Sequence, residues 1–354
     1  MNRQIPHPTL KVSASAFGSA CEAFGDCLGI NRDLLADEAR ERIPAINPDH
    51  QFAPEHYRNF VLWWRHGKAD PLYISGPTGS GKTSTAMQFC ARLGMPVVSV
   101  TARARMDRRE LLGHYDARDN ATVWQDGPAL LAWRYGWTLI INEFSTAPAD
   151  MWVSCNDILE GLPIDNPSTG EVVFRHPDTR VIVTDNTRGH TVEIDEGFYG
   201  RQIQDRSVID RFWHIRMESH TETMASRLLY AGISPSFRAD YEVSALTTLC
   251  DMLAKAGRDS QTASASKAIG FNSAAVPISL RALKRLRDML LAAGREPWGE
   301  AQASELLRSL IRVAFTEALD ETARETAEGL LMTALGDMVG TLRASRRRVA
   351  MSRR

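Results

Sequence analysis

The residues of this chain with the clearest chemistry form a glycine-rich loop, Gly76-Pro-Thr-Gly-Ser-Gly-Lys-Thr83, which matches the pattern GxxxxGK[ST]. Its glycines allow consecutive backbone N–H groups to converge on a phosphate without Cβ clashes. The Lys82 ammonium would sit on the β- and γ-phosphates, and the Thr83 hydroxyl would bind Mg²⁺. The pattern predicts an ATP site made by Gly76, Pro77, Thr78, Gly79, Ser80, Gly81, Lys82, Thr83 and Ser84.

A second candidate for chemistry is the end of an apolar run, Trp137-Thr-Leu-Ile-Ile-Asn-Glu143. Glu143 would act as the general base that polarises the attacking water, with Glu160 as the reserve candidate. Asn142 stands where such sites usually carry an aspartate. Its amide offers one carbonyl oxygen to the metal but no charge, so we expect weaker Mg²⁺ dependence, not lost chemistry. The alternative is a buried strand that ends in an incidental acid.

Both motifs require strands that end at one edge of a sheet. Between about residues 51 and 217, short apolar runs alternate with helix-length segments, and the apolarity of several runs is continuous. That pattern is typical of strands covered on both faces in a parallel sheet. The predicted strands are Pro71–Ser75, Pro96–Val100, Trp137–Asn142, Arg180–Thr184 and Phe212–Arg216.

The rest of the chain flanks this α/β core. Residues 1–50 carry mixed helical signals and end in a Pro-punctuated linker, Ile43–Pro48. Residues 218–340 show apolar residues at helical spacing and predict a smaller all-helical domain. Residues 341–354 contain six arginines and no acid, and we interpret them as a frayed basic tail, with a contact for a partner or nucleic acid as the alternative.

Bulk properties exclude several classes of protein. The formal net charge is −1, so no overall field attracts nucleic acid or acidic lipid. The five cysteines have no metal-ligand spacing, and their odd number indicates reduced thiols in a cytoplasmic protein. The N-terminus lacks an apolar leader, and no run of 18 apolar residues occurs, so we expect neither secretion nor membrane insertion.

These motifs, in their order, resemble those of AAA+ ATPases of the MoxR/CobS group in the dynein-related subfamily, including the AAA+ subunit of cobaltochelatase. The resemblance covers about residues 40–290. Besides the two motifs above, it is carried by Pro44–Phe52, Glu110–Tyr115, Val123–Pro128, Val183–Thr187, Gly197–Gly200 and Ile209–Trp213. It implies a P-loop NTPase fold, with a three-layer αβα domain followed by a helical lid.

The resemblance also implies roles for three further residues. Asn186 resembles sensor 1, which holds the attacking water or γ-phosphate, and would otherwise be a turn residue. Arg211 resembles the arginine finger that reaches the neighbouring subunit's nucleotide, with Arg206 in reserve. Arg281 resembles sensor 2 on the lid; both Arg211 and Arg281 would otherwise be surface ion-pair arginines.

Two segments resemble family inserts that face the pore of a ring, namely the helix-2 insert (residues 116–127, with Trp124) and a hairpin before sensor 1 (Asp165–Glu171). From sequence alone both are turns. Tandem Trp63-Trp64 is more consistent with core or interface packing than with a ligand platform.

The function implied is a ring-forming ATPase, hexameric by resemblance, that uses ATP and Mg²⁺ to remodel a protein partner, for example one with a von Willebrand A-type domain. Three alternatives stay open: the ATPase subunit of a cobalt chelatase, a nucleotide-gated assembly protein with little turnover, and a DNA-associated motor. Asn142 and the basic tail depart from the family pattern. The net charge of −1 does not indicate a nucleic-acid partner, and it argues against a DNA motor unless the basic tail acts locally.

Overall fold

Five apolar runs of the sequence form one parallel sheet, with strand order β11-β3-β10-β7-β4. The strands are β3 (Leu72–Ser75), β4 (Val97–Thr101), β7 (Thr138–Asn142), β10 (Arg180–Asp185) and β11 (Trp213–Arg216). Residues of β3, β7 and β10 are almost entirely buried, because helices cover both faces. Every predicted strand is therefore present, with ends shifted by one residue.

The computed structural model describes residues 5–118, 121–187, 189, 201–218, 220–267, 276–295 and 303–353. The chain divides into two compact units, of which the first ends at Glu218 and the second begins at Ser219. Helices of the first unit are α1 (Asp37–Glu41), α2 (Pro54–His66), α3 (Lys82–Arg92), α4 (Arg108–Leu112), α5 (Pro128–Tyr135), α6 (Ala149–Val153), α7 (Asn156–Glu160) and α8 (Arg206–Ile209).

Three small antiparallel pairs accompany the central sheet in the first unit. They are β1 (Thr9–Val12) with β2 (Cys27–Ile30), β5 (Gly113–Arg118) with β6 (Ala121–Asp126), and β8 (Ile164–Asp165) with β9 (Val172–Val173). The first pair lies where the sequence indicated only mixed helical signals. The other two correspond to the predicted insert and hairpin.

The core of the first unit lies between the sheet and its helices and contains four fully buried tryptophans. Trp63 is one of them. Its neighbour Trp64 is partly buried and lies under the Arg180 guanidinium, 4.7 Å from the ring centroid. Trp63 therefore contributes to the core and Trp64 packs against Arg180, so both tryptophans serve packing, as the sequence suggested.

The second unit is helical throughout its described residues, as predicted. Its helices are α9 (Glu222–Ala231), α10 (Pro235–Asp240), α11 (Val243–Lys267), α12 (Leu280–Ala293), α13 (Ala303–Ala314), α14 (Glu321–Leu335) and α15 (Met338–Ser352). The predicted α/β domain with a parallel sheet, followed by a helical domain, is confirmed.

The interpretation of the C-terminal residues as a frayed tail is wrong. Helix α15 buries Met338, Val339 and Leu342 in the core of the second unit, and this burial orders the segment. Arg348 pairs with Glu242 at 2.7 Å, so part of the basic charge is neutralised within the unit.

No helix in the described ranges is both long and apolar enough to cross a bilayer. The five cysteines are free thiols, and all are buried.

Candidate nucleotide-binding and hydrolysis site

The glycine-rich loop connects β3 directly to α3, which begins at the motif lysine. Gly76, Gly79 and Gly81 have φ values of 149°, 82° and 89°. Residues other than glycine rarely adopt this backbone conformation. A Cβ at Gly76 would lie 2.1 Å from the carbonyl oxygen of Met217. The loop can therefore take this shape only with glycine at this position, and it leads directly into the N-terminus of α3, the end of a helix that favours anions.

The Lys82 ammonium is folded onto the loop itself. Its Nζ donates to the carbonyl oxygens of Gly76 (2.7 Å) and Pro77 (2.9 Å) and to Oδ1 of Asn186 (2.8 Å). The predicted sensor residue thus contacts the predicted phosphate-binding lysine. The two residues are 104 positions apart in the chain, and adjacent parallel strands bring them together.

Burial lowers the pKa of Lys82 to about 8. The carboxylates of Glu143 and Asp185 act in the opposite direction, and the nearby Arg201 guanidinium adds to the lowering. A cation that is only 8% exposed and is satisfied by neutral oxygens is costly to maintain. Phosphate oxygens would stabilise it further.

One polar atom of the loop fits a bound phosphate. The Ser80 hydroxyl is buried, yet it makes no hydrogen bond within the part of the chain that the structure describes. Buried polar atoms in proteins are nearly always paired, so an unpaired one at the bottom of a glycine cradle indicates a place for a ligand atom. Thr78 and Ser84 are exposed beside it, and the Ser84 hydroxyl lies 3.3 Å from His50 Nδ1.

The two residues predicted to hold the metal are in contact. The Thr83 hydroxyl donates to Asn142 Oδ1 at 2.8 Å, and the Thr184 hydroxyl donates to the same oxygen at 3.0 Å. The orientation of the amide is fixed because its Nδ2 donates to the Ser99 hydroxyl at 2.9 Å. A carbonyl oxygen and two hydroxyls, all neutral, suit Mg²⁺ with water in its coordination shell.

Glu143 follows β7 in a left-handed conformation, with φ 58° and ψ 42°. This is unusual for a residue with a side chain and costs about 1–3 kcal/mol. The turn is held in place by its neighbours. Trp152 stacks on Phe144 with centroids 4.1 Å apart and donates to its carbonyl oxygen, and the Ser145 N–H donates to the buried Asp185 carboxylate at 3.0 Å. From this turn the Glu143 carboxylate forms an ion pair with Arg201.

An arginine that sequence reasoning missed lies next to Glu143 and Asp185. Arg201 forms an ion pair with Glu143, donates to the Thr146 hydroxyl at 2.6 Å and lies 3.3 Å from Asp185 Oδ1. Its side chain is 11% exposed. The sequence analysis singled out the preceding Gly197–Gly200 motif but not Arg201 itself, because arginine is the chain's usual basic residue.

Asp185 is the second site residue that the sequence analysis did not identify, although the sequence contained a signal for it. It ends β10 in an apolar strand, immediately before Asn186, and charged residues are rarely fully buried without a purpose. It accepts hydrogen bonds from the Tyr73 hydroxyl, the Thr187 hydroxyl and the backbone N–H groups of Ser145 and Asn186. It therefore fixes the ends of both chemistry-bearing strands.

The structure places Arg211 away from this edge. It precedes β11, whose Trp213 pairs in register with Leu72 at the start of β3, whereas the phosphate loop follows the end of β3. Its guanidinium pairs with Glu160 at 2.6 Å and also donates to the Ser207 carbonyl oxygen. Glu160, the reserve base, is thus a partner of Arg211 and does not lie at the loop.

The other predicted arginines, Arg206 and Arg281, are exposed. Arg206 lies at the start of α8. Arg281 lies in the first turn of α12, in the second unit. The segment Gly197–Gly200, which contributed to the resemblance, lies outside the described residues.

The two predicted inserts contact each other. Asn166 Nδ2 donates to Asp126 Oδ1 at 3.4 Å, and Arg134 pairs with both Asp126 and Glu171. Directly before the first insert, the Tyr115 hydroxyl donates to the Ser168 hydroxyl at 3.1 Å. Tyr115 is 58% exposed, while Trp124 packs edge-on against it and is partly buried.

Comparison with known proteins is consistent with this geometry. Residues 71–202 match the family model described as an AAA domain of the dynein-related subfamily. The matched range begins just before β3 and includes the loop, Asn142, Glu143, Asn186 and Arg201. It ends before Arg211 and before the helical unit.

Three curated proteins are similar to the same part of the chain. Protein CbbQ of Hydrogenophilus thermoluteolus is 32% identical over 119 residues, which is 33% of this chain and 44% of that protein. Protein NorQ of Paracoccus denitrificans is 33% identical over 119 residues, 33% of this chain and 43% of that protein. Midasin of Dictyostelium discoideum is 28% identical over 161 residues, 45% of this chain and 3% of that protein. The chain spans less than half the length of each of these three relatives.

Proposed function

We propose that this chain, whose residues 71–202 are an AAA domain of the dynein-related subfamily, binds ATP with Mg²⁺, hydrolyses it, and uses the energy to remodel a protein partner as a ring-shaped oligomer. The first part follows from the site, and the second from the position of Arg211. The observation that carries the proposal is the meeting of Lys82, Thr83, Asn142 and Asn186 at one sheet edge, beside Glu143.

In this mechanism the chain's own residues bind and orient the nucleotide. The loop N–H groups and Lys82 hold the β- and γ-phosphates, with Nζ exchanging carbonyl oxygens for phosphate oxygens. Thr83 and Asn142 would hold Mg²⁺, which supplies charge neutralisation on the phosphates. Glu143 accepts a proton from the attacking water, and Asn186 orients that water or the γ-phosphate.

The oligomeric part rests on the sheet register. Trp213 pairs with Leu72 at the start of β3, whereas Gly76 follows the end of the same strand. At about 3.3 Å per residue, Leu72 and Gly76 are roughly 13 Å apart along the strand. Arg211 precedes Trp213, so it lies still further from its own loop. An arginine finger at this position would contact the nucleotide of a neighbouring subunit. In a ring, which we propose to be hexameric, every interface would bring one such arginine to a neighbour's nucleotide.

The partner is proposed to be a protein, as in the MoxR-like group, and a von Willebrand A-type domain is the candidate. The exposed Tyr115 and the linked β5–β6 and β8–β9 hairpins provide a surface for it. The proposed setting is the cytoplasm, which suits free, buried cysteines.

A second candidate function is a nucleotide-gated assembly protein with little turnover. Two observations favour it: the neutral Asn142 at the metal position, and the engagement of Glu143 by Arg201. Steady-state phosphate release separates the two candidates.

The test compares wild type with Lys82→Ala, using Lys255→Ala as the control, since Lys255 is exposed on α11 in the second unit. We expect Lys82→Ala to lose nucleotide binding, measured by calorimetry, and the control to retain it. Unchanged affinity in Lys82→Ala would refute the site. Binding without phosphate release in wild type, with or without partner, would favour the assembly protein.

A further inference from the structure

Arg201 contacts two carboxylates at once, which is more than a single structural ion pair requires. Its guanidinium lies between two carboxylates, one buried (Asp185) and one half-exposed (Glu143), and the Thr146 hydroxyl accepts a third contact. Asp185 already accepts four hydrogen bonds from other residues. Asp185 is therefore satisfied largely without Arg201, whereas Glu143 forms its ion pair with Arg201.

The backbone around Arg201 is fixed to the turn that carries Glu143. The Gln202 N–H donates to the Ser145 carbonyl oxygen at 2.8 Å, and Gln204 Nε2 donates to the Ala147 carbonyl oxygen at 3.2 Å. The backbone of Arg201 is therefore held to this turn, and an exchange of ion-pair partners would involve its side chain alone. An arginine side chain on an anchored backbone can exchange partners without unfolding its surroundings.

A continuous polar chain connects Arg201 to the phosphate-binding lysine. Lys82 Nζ contacts Asn186 Oδ1, the Asn186 N–H donates to Asp185 Oδ1 at 2.7 Å, and Asp185 Oδ1 lies 3.3 Å from Arg201. Lys82 and Arg201 are thus separated by only two intervening residues, Asn186 and Asp185. Both cations therefore lie within electrostatic range of the place where the terminal phosphate would bind.

The charges of this cluster balance without nucleotide. Lys82 and Arg201 carry two positive charges, and Glu143 and Asp185 carry two negative ones. A γ-phosphate adds negative charge next to Glu143, so the carboxylate and the phosphate compete for the same guanidinium. Arginine binds phosphate oxygens in a bidentate fashion and is well suited to that exchange.

We propose that Arg201 acts within its own subunit as the group that distinguishes a bound triphosphate from a diphosphate: it pairs with Glu143 before nucleotide binds and turns to the γ-phosphate afterwards, which releases the Glu143 carboxylate for the attacking water. This inference rests on the proposed ATPase function and deepens it. It assigns to Arg201 a role separate from those of Arg211 and Arg281.

The test measures two affinities of the full-length chain by calorimetry, one for a slowly hydrolysed ATP analogue with Mg²⁺ and one for ADP with Mg²⁺. In Arg201→Gln we expect the analogue to bind roughly tenfold to a hundredfold more weakly, the range for a hydrogen bond between charged groups, while the ADP affinity changes little. Arg201→Lys keeps the charge and loses the fork, so its loss should be smaller.

Arg108→Ala is the matched control, because Arg108 also forms a two-pronged pair with a carboxylate, Asp157, outside the cluster. It should leave the ratio of the two affinities unchanged. Thermal unfolding of each variant reports whether the fold is intact, and Arg201→Lys keeps the test available if Arg201→Gln does not fold.

Equal weakening of both nucleotides, or none, would overturn the inference, and so would Arg201→Gln hydrolysing ATP as fast as wild type. Failure of the proposed function has a different result: wild type would not bind the analogue, or Lys82→Ala would bind it equally well. If wild type binds and hydrolyses ATP but Arg201→Gln keeps the wild-type ratio of the two affinities, the inference about Arg201 fails while the proposed ATPase function stands.

Discussion

Replacing Arg211 with alanine should leave nucleotide binding intact and remove most hydrolysis. Arg211 precedes β11 at the amino edge of the sheet, whereas Lys82 lies beyond its carboxyl edge. The strand rise alone, roughly 13 Å from the level of Leu72 to Gly76, places the loop beyond the reach of Arg211 in the same chain. We therefore expect its loss to affect hydrolysis across a subunit interface. Where such arginine fingers have been measured, they contribute about 10³–10⁵ in rate.

A mixing experiment gives this prediction a number. Arg211→Ala and Lys82→Ala should each be inactive alone. In a random equal mixture, a working interface needs an intact Lys82 on one side and an intact Arg211 on the other. One half of the subunits qualify on each side, so about a quarter of the interfaces, and about a quarter of wild-type activity, should return.

The assay is steady-state phosphate release, with co-assembly of two differently tagged variants shown by affinity capture. Mixing wild type with Lys82→Ala serves as the control, because a linear fall in activity shows that the sites work independently. If that control is linear and the mixed mutants recover nothing, Arg211 acts within its own chain or only structurally. Wild-type activity in Arg211→Ala alone would also refute the reasoning. Glu160→Ala, which frees the Arg211 guanidinium, should keep activity.

Three further outcomes follow from the site. Glu143→Gln should retain ATP binding, measured by calorimetry, and reduce phosphate release by about 10²–10⁴, since its amide cannot accept a proton. Asn142→Asp should lower the Mg²⁺ concentration for half-maximal turnover by roughly tenfold, because it adds a charge to an oxygen already facing Thr83; an unchanged midpoint would contradict this. Gly76→Ala should cost about 2 kcal/mol or more in unfolding free energy by thermal denaturation, whereas Gly170→Ala, with positive φ but open space, should cost less.

The fold could be predicted because its signals are local. Continuous apolar runs such as Trp137–Asn142 can be buried on both faces only in a parallel sheet, and the glycine-rich loop can follow only a strand that leads into a helix. The resemblance to MoxR-like AAA+ ATPases of the dynein-related subfamily is confirmed by the family match over residues 71–202 and by similarity to CbbQ and NorQ. Because parallel strands end at one edge, the meeting of Thr83 with Asn142, and of Lys82 with Asn186, was implicit in the strand assignment.

The missed features depend on contacts between distant parts of the chain. Arg201 lies 58 residues from Glu143, and although it follows the Gly197–Gly200 motif directly, that motif does not indicate which carboxylate it meets. The hairpin of β1 and β2 is anchored by Ile30, whose N–H donates to the carbonyl oxygen of Leu93 at 2.7 Å, a contact that no local pattern reports. Helix α15 was misread because its arginines obscured an apolar stripe that is buried only in the presence of its neighbouring helices.

The neutral amide at position 142 and the arginine at position 201 can be understood together. With Asn142, the four ionised side chains of the cluster sum to zero: Lys82 and Arg201 against Glu143 and Asp185. An aspartate at 142 would leave an excess negative charge before nucleotide arrives, and that charge would attract Mg²⁺ or compete with Glu143 for the two cations. We therefore expect the neutral Asn142 to hold Mg²⁺ weakly by itself, so that the metal enters mainly as a complex with the nucleotide phosphates. Asn142 is therefore better understood as part of a balanced site built around Arg201 than as the remnant of a weakened one.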